Sequence, residues 1–410
     1  MARGRYVKRT WPGNPTGQTR RERLPTPYEA YVPEPLSDYD PTVSAGLAKL
    51  LAEADAEILE LNRLGRSMAH QVEALARQLL RQESLASSRI EGLSLSQKRI
   101  AEAAYGPDAS SDNEAKAVLA NIDAMHQAIA IGSESGRISR STILKLHLTL
   151  MRSTNPEIAG KLRTEQNWVG GNWHTPIGAA FIPPPPADAG PLLTDLARFM
   201  SRTDLPPTLQ AALAHAQFET IHPFADGNGR IGRCLIHVVY KRLGIADHQV
   251  PPVSLLMATD VDKYVKALKG YREDENLWVS YFAETARAAA RAAVAFGREL
   301  ADLQDQWREQ ARPRGGSTAD QLIALLPIQP VIDVPIAAQL AETSDEAARV
   351  ALNALEESGV VSRARKHGRG RVWEAKSLWE MVDRFERRLA TPDGAVRANR
   401  PAPRGARTIR

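Results

Sequence analysis

Twelve consecutive residues, 222–233, combine the side-chain types that phosphoryl-transfer chemistry needs, and they run His-Pro-Phe-Ala-Asp-Gly-Asn-Gly-Arg-Ile-Gly-Arg. The imidazole of His222 can accept a proton from an attacking hydroxyl, and the carboxylate of Asp226 can hold Mg²⁺. Glycines let backbone N–H groups approach phosphate oxygens at the N-terminus of a following helix, while arginines neutralise phosphate charge. The segment therefore predicts a site for a nucleotide whose phosphates lie across a helix N-terminus.

The same segment resembles the signature of the Fic family, His-x-Phe-x-Asp/Glu-Gly-Asn-Gly-Arg-x-x-Arg, and every fixed position is filled. An ordinary Gly/Asn turn between two helices is the alternative, and the number of specified positions in one run makes it the weaker one. The resemblance implies a protein adenylyltransferase that moves the AMP part of ATP onto a Tyr, Thr or Ser hydroxyl of a target protein. The target stays unidentified, and self-modification stays open.

The resemblance also implies roles for the residues that act on the nucleophile and the metal. His222 would accept the proton of the attacking hydroxyl and is the expected catalytic residue. Asp226 would hold Mg²⁺ between the α- and β-phosphates. Phe224 would anchor the loop against the helical body. Replacing His222 should abolish transfer and leave ATP binding largely intact, because it acts on the nucleophile.

A further set of motif residues is implied to bind the nucleotide. Backbone amides and the asparagine side chain of Gly227, Asn228 and Gly229 would form an anion cradle. Arg230 and Arg233 would pair with the outer phosphates. Because Gly229 stands where relatives of Doc carry a lysine and phosphorylate their targets, the α-phosphate is the expected point of attack. Phosphocholine transfer is a variant that the sequence leaves open.

A second segment, Ser87-Ser88-Arg89-Ile90-Glu91-Gly92, matches the family's inhibitory pattern Ser/Thr-x-x-x-Glu-Gly/Asn. Its spacing predicts Ser87 and Glu91 on one face of a helix, and an exposed glutamate capped by Gly92 is the plain alternative. The resemblance implies that Glu91 pairs with Arg233 and makes ATP bind unproductively, so Glu91→Gly should release activity. In some relatives this glutamate positions a water that removes AMP, so addition, removal or both stay open.

Residues 166–186 interrupt the helical pattern with two short extended runs joined by a Gly/Pro loop, which predicts a β-hairpin. In the Fic family a hairpin flap beside the active site holds the target segment by strand-like pairing. The family's Gly-x-x-Arg approach is matched at residues 160–163. The resemblance places the flap residues Val169, Gly170, Gly171 and Asn172, and also Tyr271, near the nucleotide. A packed aromatic is the alternative for Tyr271.

Composition sets broader bounds. The 410 residues allow two or three domains, and 43% hydrophobic with 25% charged residues is typical of a globular protein. Cys234 is the only cysteine, so an intrachain disulfide is excluded. No run approaches the roughly 18 apolar residues of a membrane span, and a cytoplasmic protein is expected. Zinc-ligand spacing, a Walker loop and a dinucleotide fingerprint are all missing from the sequence, and His215 and His237 are predicted to pack.

Apolar spacings of three and four run through residues 43–310 and predict a mainly α fold. The resemblance implies that this fold is a Fic-type helical bundle with the β-hairpin flap. Three helices and a hairpin near the C-terminus resemble a small winged helix-turn-helix domain. The predicted domains are an extended N-terminal arm (1–40), a helical region with the inhibitory helix (41–112), the catalytic core (113–311), a linker (312–317), the winged-helix-like domain (318–376), and a helix with a basic tail (377–410).

Charge is unevenly distributed, since residues 361–410 hold 14 Lys/Arg against 5 Asp/Glu and residues 1–23 hold 7 against 1. A basic wing at residues 363–371 is what phosphate contacts need. The helix that would read DNA is instead acidic, so a packing or protein-docking module is favoured over nucleic-acid binding. A DNA-binding regulator with a nucleotide-sensing core is the rival function, and a homodimer stays open.

Overall fold

The computed structural model describes residues 4–17, 19–67, 72–93, 95–96, 98–100, 112–134, 136–172, 174–364 and 371–390. Predictions for Trp173, for the wing residues 365–370 and for the tail 391–410 lie outside the described residues. The chain divides into two compact units: Met1–Asp55 with Asp123–Gly244 and Asp262–Glu284, and Ala56–Ile122 with Ile245–Val261 and Thr285–Arg410.

The N-terminal segment of the first unit forms an antiparallel hairpin. Strand β1 (Gly4–Trp11) pairs with β2 (Thr26–Pro33) in a register that joins Gly4 to Pro33 and Trp11 to Thr26. A short helix, α1 (Arg20–Arg23), lies between the strands and begins with a capping box of Thr19 and Glu22. The sequence predicts only an extended arm here, because its Pro, Gly and Arg content hides the strand pattern.

Helices dominate the remainder, as predicted. They are α2 (Ala45–Ser67), α3 (Val72–Ile90), α4 (Asn113–Ser133), α5 (Arg140–Met151), α6 (Pro186–Met200), α7 (Pro207–Ile221), α8 (Asn228–Arg242), α9 (Val253–Met257), α10 (Val261–Gly270) and α11 (Glu275–Ala311). Ser139 caps α5, and proline at the first helical position starts α6 and α7. None of the described helices is both long and apolar enough to cross a membrane.

Helices α7 and α8 form the centre of the first unit and hold between them the motif loop, which is residues 222–227. Almost every residue of α7 is buried, including His215, and α8 is buried along most of its length, including His237. Both histidines therefore pack in the core, as predicted. Helix α7 packs against α6 and α8, and α5 packs against α8. A loop between two such helices is held at both ends by a rigid core.

The C-terminal part of the second unit contains α12 (Thr318–Leu325), α13 (Val334–Leu340), α14 (Asp345–Glu357) and α15 (Lys376–Ala390). Strands β3 (Val331–Ile332), β4 (Ser362–Arg363) and β5 (Trp373–Glu374) form an antiparallel sheet in the order β3-β5-β4. The sequence does not predict β3, which has only two residues. Ser344 caps α14, since its hydroxyl oxygen accepts a hydrogen bond from the Ala347 N–H.

Candidate functional site

The motif loop turns through two left-handed residues. His222 ends α7 with φ 47°, and Gly227 precedes α8 with φ 79°. A non-glycine residue in this region is strained, so its surroundings must hold it. The backbone carbonyl of His222 accepts a hydrogen bond from Arg163 Nε (2.9 Å), and the Arg163 N–H donates to Pro223 O (3.0 Å). The end of the loop at His222 is therefore fixed by Arg163.

Arg163 belongs to the predicted Gly-x-x-Arg segment and joins the motif loop to the flap segment, which we define as residues 166–186. Its guanidinium also donates to the carbonyls of Glu165 (3.1 Å) and Pro184. Burial lowers the pKa of Arg163 to about 10, so it stays cationic at neutral pH. Asn167 adds a second link, since its amide donates to Phe224 O at 3.0 Å.

Glu219 faces the imidazole of His222, a contact that the sequence analysis did not identify. Its Oε2 lies 3.9 Å from His222 Nδ1, and the two side chains are 12% and 20% exposed. A Cβ on Gly232 would lie only 2.4 Å from Glu219 Oε1, so glycine at that position leaves room for the carboxylate. The spacing of three residues on α7 is a sequence signal that could have identified the pair.

Asp226 presents its carboxylate to solvent, with 64% of the side chain exposed. Its Oδ1 accepts the Gly227 N–H at 2.6 Å and lies 3.8 Å from an Arg230 nitrogen. One exposed carboxylate beside backbone amides fits Mg²⁺, which uses one or two protein carboxylates together with substrate phosphates. No cluster of three or more His, Cys, Asp or Glu side chains that could hold a metal occurs among the described residues.

The N-terminus of α8 offers backbone N–H groups to an anion. Gly227 precedes the helix, and within the described part of the chain no side chain caps this end. Contrary to the expectation that it faces phosphate, the Asn228 side chain is used inside the loop. Its Oδ1 accepts the Phe224 N–H and its Nδ2 donates to Phe224 O, both at 2.9 Å. The groups that this helix end offers to an anion are therefore backbone amides.

The other motif side chains are deeply placed. Phe224 is fully buried, as predicted for an anchor. Gly229 lies in the first turn of α8. Arg230 and Arg233 are both buried, and the Arg230 guanidinium lies 3.9 Å from the Met151 sulfur. Two buried guanidinium groups on α8 give this end of the unit a strong positive charge.

His147, on α5, contacts the motif loop and was not identified from the sequence. Its ring is fully buried and stacks on Phe224, with ring centroids 3.8 Å apart and planes 2° apart. Its Nε2 lies 3.0 Å from the Asp226 carbonyl, and its Nδ1 accepts the Gly160 N–H at 3.0 Å. The imidazole therefore lies between two backbone groups of the site.

The two arms of the flap segment meet at one antiparallel bridge, in which Val169 N–H donates to Phe181 O and Ala180 N–H donates to Val169 O, both at 2.8 Å. The N-terminal hairpin lies against both arms. Tyr31 N–H donates to Ile182 O at 2.9 Å, and Trp11 meets Trp168 edge-on at 5.2 Å. The segment predicted as an arm therefore supports the flap segment.

The residues predicted to touch the nucleotide from the flap segment and from residue 271 are placed differently from one another. Val169 is exposed, and Gly170 and Gly171 have positive φ. The Asn172 amide donates to Glu22 Oε1 at 3.1 Å, so it holds the N-terminal segment. Tyr271 is 6% exposed and its hydroxyl donates to Gln217 Oε1 at 3.2 Å, which matches the packed alternative.

The inhibitory segment lies in the second unit. Ser87 is buried in α3, but the helix ends at Ile90, so Glu91 lies in the following turn and is exposed. Gly92 has φ 85°, and its N–H donates to Arg89 O at 3.0 Å. The prediction that Ser87 and Glu91 share one helical face is therefore wrong, because the left-handed glycine ends the helix first.

Helix α3 is anchored within its unit by buried polar groups. Glu83 accepts the backbone N–H and the hydroxyl of Ser254, at 2.7 and 2.5 Å, at the start of α9. The Asn121 amide donates to Ser84 O (2.8 Å) and to Ser88 Oγ (3.1 Å). A buried carboxylate and a buried amide with these partners hold the end of α3 that leads to Glu91.

Comparison with known families assigns this arrangement. Residues 137–240 match the model of the Fic/DOC family, and residues 48–130 match the model of the Fic/DOC family N-terminal region. The chain carries a Fic/DOC family domain. The matched residues 137–240 contain His147, the flap segment and the motif loop.

Two curated relatives are protein adenylyltransferases. The chain is 31% identical over 159 residues to protein adenylyltransferase fic-1 of Caenorhabditis briggsae, which covers 39% of this chain and 29% of that protein. It is 31% identical over 236 residues to protein adenylyltransferase Fic of Drosophila erecta, covering 55% and 45%. The chain thus spans less than half the length of these relatives.

A Fic family protein from Desulfovibrio desulfuricans G20 has a similar structure. The TM-score is 0.51 at 22% sequence identity, over 82% of this chain and 98% of that chain. At this identity the likeness concerns the fold alone. It extends over much of the chain, beyond the segment that carries the Fic/DOC family match.

Proposed function

We propose that this chain is a protein adenylyltransferase, which transfers AMP from ATP to a side-chain hydroxyl of a target protein. The observation that carries the proposal is the pairing of His222 with Glu219 beside the uncapped N-terminus of α8. A base for a hydroxyl proton and a binding site for phosphate lie on the same loop. The two relatives named above support this activity.

In the proposed reaction His222 takes the proton of the target hydroxyl while the oxygen attacks the α-phosphorus of ATP. The bond between the α-phosphorus and the bridging oxygen breaks, and pyrophosphate leaves. Glu219, 3.9 Å from Nδ1, stabilises the imidazolium that forms. At an effective dielectric constant near 20, a charge pair at this distance gains about 4 kcal/mol before desolvation is counted.

Backbone amides of Asn228 and Gly229 bind the phosphates at the N-terminus of α8, where the helix dipole favours anions. The Gly227 amide, which donates to Asp226 Oδ1, is shared between that carboxylate and the phosphates. Arg230 and Arg233 neutralise the charge that develops on pyrophosphate. Asp226 would hold Mg²⁺, which would supply neutralisation of phosphate charge. The carbonyl of Asp226 is fixed by His147, so the carboxylate is set on a rigid backbone.

The flap segment is the proposed docking element for the target. An extended segment of the target adds to an extended segment of the protein by backbone hydrogen bonds. Val169, which forms the antiparallel bridge with Phe181, is exposed. Backbone pairing is tolerant of side chains, so a Tyr, Thr or Ser can enter the site. A hydroxyl of this chain itself is an equally suitable acceptor.

Glu91 is the proposed inhibitory residue. Support comes from the match of residues 87–92 to the family motif and from the anchoring of α3 by Glu83 and Asn121. The resemblance to the family motif implies that the Glu91 carboxylate makes ATP bind unproductively. The second candidate is removal of AMP from the modified target, in which Glu91 positions the attacking water.

We infer that the C-terminal helices and sheet form a winged-helix module that docks protein and not DNA. Glu356, on the helix that would enter a groove, binds Arg363 at 2.7 Å and accepts the Trp373 indole N–H at 2.8 Å. Its charge is therefore used to hold β4 and β5 to α14. The acidic residues of this helix oppose contact with phosphates.

The test of the proposal uses ATP labelled at the α-phosphate, Mg²⁺ and cell lysate. We expect labelled protein bands with Glu91→Gly, weak bands with the wild type, and none with Glu91→Gly combined with His222→Ala. Equal labelling with and without His222→Ala would contradict the proposal. Incubating the labelled bands with wild-type protein tests the second candidate, because AMP removal would release the label as AMP.

A further inference from the structure

The hydrogen bonds of His147 fix its tautomer. The backbone N–H of Gly160 can only donate, so Nδ1, 3.0 Å away, must be an unprotonated acceptor. The proton of the neutral ring is then on Nε2, which donates to the Asp226 carbonyl at 3.0 Å.

Both partners of this ring belong to segments that shape the site. Gly160 has φ 69° and begins the segment whose Arg163 donates to His222 O at 2.9 Å. Asp226 lies at the other end of the motif loop. Arg163 thus holds the end of the loop at His222, the proposed proton acceptor. His147 holds the other end, at Asp226. Stacking on Phe224 fixes the plane of the imidazole between them.

We propose that His147 is a positioning residue for the proposed transfer reaction, which donates its Nε2–H to Asp226 O and thereby sets the Asp226 carboxylate and the Gly227 amide for nucleotide binding. The inference rests on the proposed function. It adds a role for a side chain outside the motif, on α5, that does not touch substrate. The role consists of one hydrogen bond from the His147 ring to the Asp226 carbonyl, which the turn before Gly227 directs at the ring.

Removing the donor leaves the Asp226 carbonyl without its partner at a part-buried place. A hydrogen bond left unmade in this way destabilises the loop, and the loop can recover part of the loss by moving. Movement shifts the backbone of Asp226 and Gly227, and misplacement of binding groups by about 1 Å can cost roughly 100-fold in rate. The loss should appear in ATP binding and should spare proton transfer at His222.

Two substitutions separate the ring's hydrogen bonds. In His147→Gln the side-chain nitrogen can reach the place of Nε2 and donate to Asp226 O. In His147→Asn the shorter side chain can replace Nδ1 as the acceptor for Gly160 and cannot reach Asp226. His237→Gln, at another fully buried histidine of the same unit, controls for the loss of a buried imidazole.

The first readouts do not depend on activity. Long-range proton–nitrogen NMR of the wild type should show the His147 ring with its proton on Nε2. A proton on Nδ1 would overturn the proposal. Hydrogen exchange of the segment containing Gly227 and Asn228 should be about 10-fold faster in His147→Asn and unchanged in His147→Gln and His237→Gln. Such rates follow an opening free energy changed by roughly 1.4 kcal/mol.

The second readout uses the Glu91→Gly protein with α-labelled ATP. Adding His147→Asn should raise the KM for ATP by roughly 10-fold or more, the equivalent of about 1.4 kcal/mol, while His147→Gln restores it to within a few-fold. Equal behaviour of the Asn and Gln variants would overturn the positioning role. If no variant transfers AMP, the proposed function fails, whereas the tautomer and the exchange rates still decide the role of His147.

Discussion

Replacing Gly227 with alanine perturbs the turn on which the account depends. Gly227 has φ 79°, and a Cβ built on it would lie 3.1 Å from Leu150 Cδ2 and 3.2 Å from Met151 Sδ. Gly244, which follows α8, has φ 72°, and no described atom other than its chain neighbours lies within 4 Å of its Cβ position. Gly244→Ala is therefore a matched control with the same backbone strain and no crowding.

The two substitutions should differ by the cost of crowding. A non-glycine residue in the left-handed region costs about 1–2 kcal/mol, and that cost applies to both positions. Overpacking of a well-filled core adds about 1–3 kcal/mol, and it applies only to Gly227, whose Cβ would contact α5. We therefore expect Gly227→Ala to lower the free energy of unfolding by about 2–5 kcal/mol, against about 1–2 kcal/mol for Gly244→Ala.

Urea denaturation followed by circular dichroism measures both values, and AMP transfer by Glu91→Gly proteins carrying each change measures the effect on the site. We expect transfer to fall roughly 100-fold or more with Gly227→Ala, because the loop and the Asp226 carboxylate move. Gly244→Ala should leave transfer within a few-fold. Equal loss of stability and activity in the two variants would refute the argument that the position of Gly227 against α5 matters.

Three further predictions follow from the same contacts. Glu219→Gln should lower kcat roughly 10- to 100-fold with little change in the KM for ATP, because the carboxylate acts on the His222 imidazolium and not on the nucleotide. Burial lowers the pKa of His215 to about 3. The contribution of His215 to the free energy of unfolding is complete above pH 6.5 and is lost as the pH falls toward 3. The free energy of unfolding measured in urea should therefore decrease over that window, and His215→Gln should make it depend less on pH. Trp11→Ala, which removes the contact with Trp168, should speed hydrogen exchange in the flap segment.

Each of these predictions has a contradicting result. Unchanged kcat in Glu219→Gln would remove the imidazolium argument, and a raised KM alone would assign the residue to binding. An unfolding free energy that rises between pH 6 and pH 4 would reverse the sign expected for a buried neutral histidine. Leu24→Ala, at an exposed position of the N-terminal segment, is the control for Trp11→Ala, and equal exchange in both would show that the hairpin does not support the flap segment.

The helices and the motif loop could be predicted because their signals are local. Apolar spacing, prolines at helix starts and the left-handed glycine at 244 mark elements within a few residues of their true ends. The N-terminal hairpin could not be predicted because buried and exposed residues alternate poorly along its strands. Outside Tyr31 and its neighbours most of its residues are exposed. Its pairing with the flap segment involves residues about 150 positions apart, which no local pattern reveals.

The contacts made by the supporting residues of the site could not be predicted, because they also join distant parts of the chain. His147 and Arg163 act on backbone carbonyls, and a backbone acceptor leaves no mark in the sequence. Asn228 matches the motif, yet its side-chain amide hydrogen-bonds to the backbone of Phe224 and thereby holds the turn itself. The position of Glu91 beyond the end of α3 could not be predicted, because the left-handed conformation of Gly92 ends the helix. Residue types predicted the chemistry, and only the fold shows which groups hold them.

The most direct test of the central claim is the fate of each phosphate of ATP. The Glu91→Gly protein is incubated with Mg²⁺, lysate and ATP labelled either at the α- or at the γ-phosphate, and protein and released phosphates are counted separately. The account predicts α-label on protein, γ-label in pyrophosphate, and loss of both signals with His222→Ala. Label from the γ-phosphate on protein would make this chain a kinase and would contradict the role assigned to Gly229.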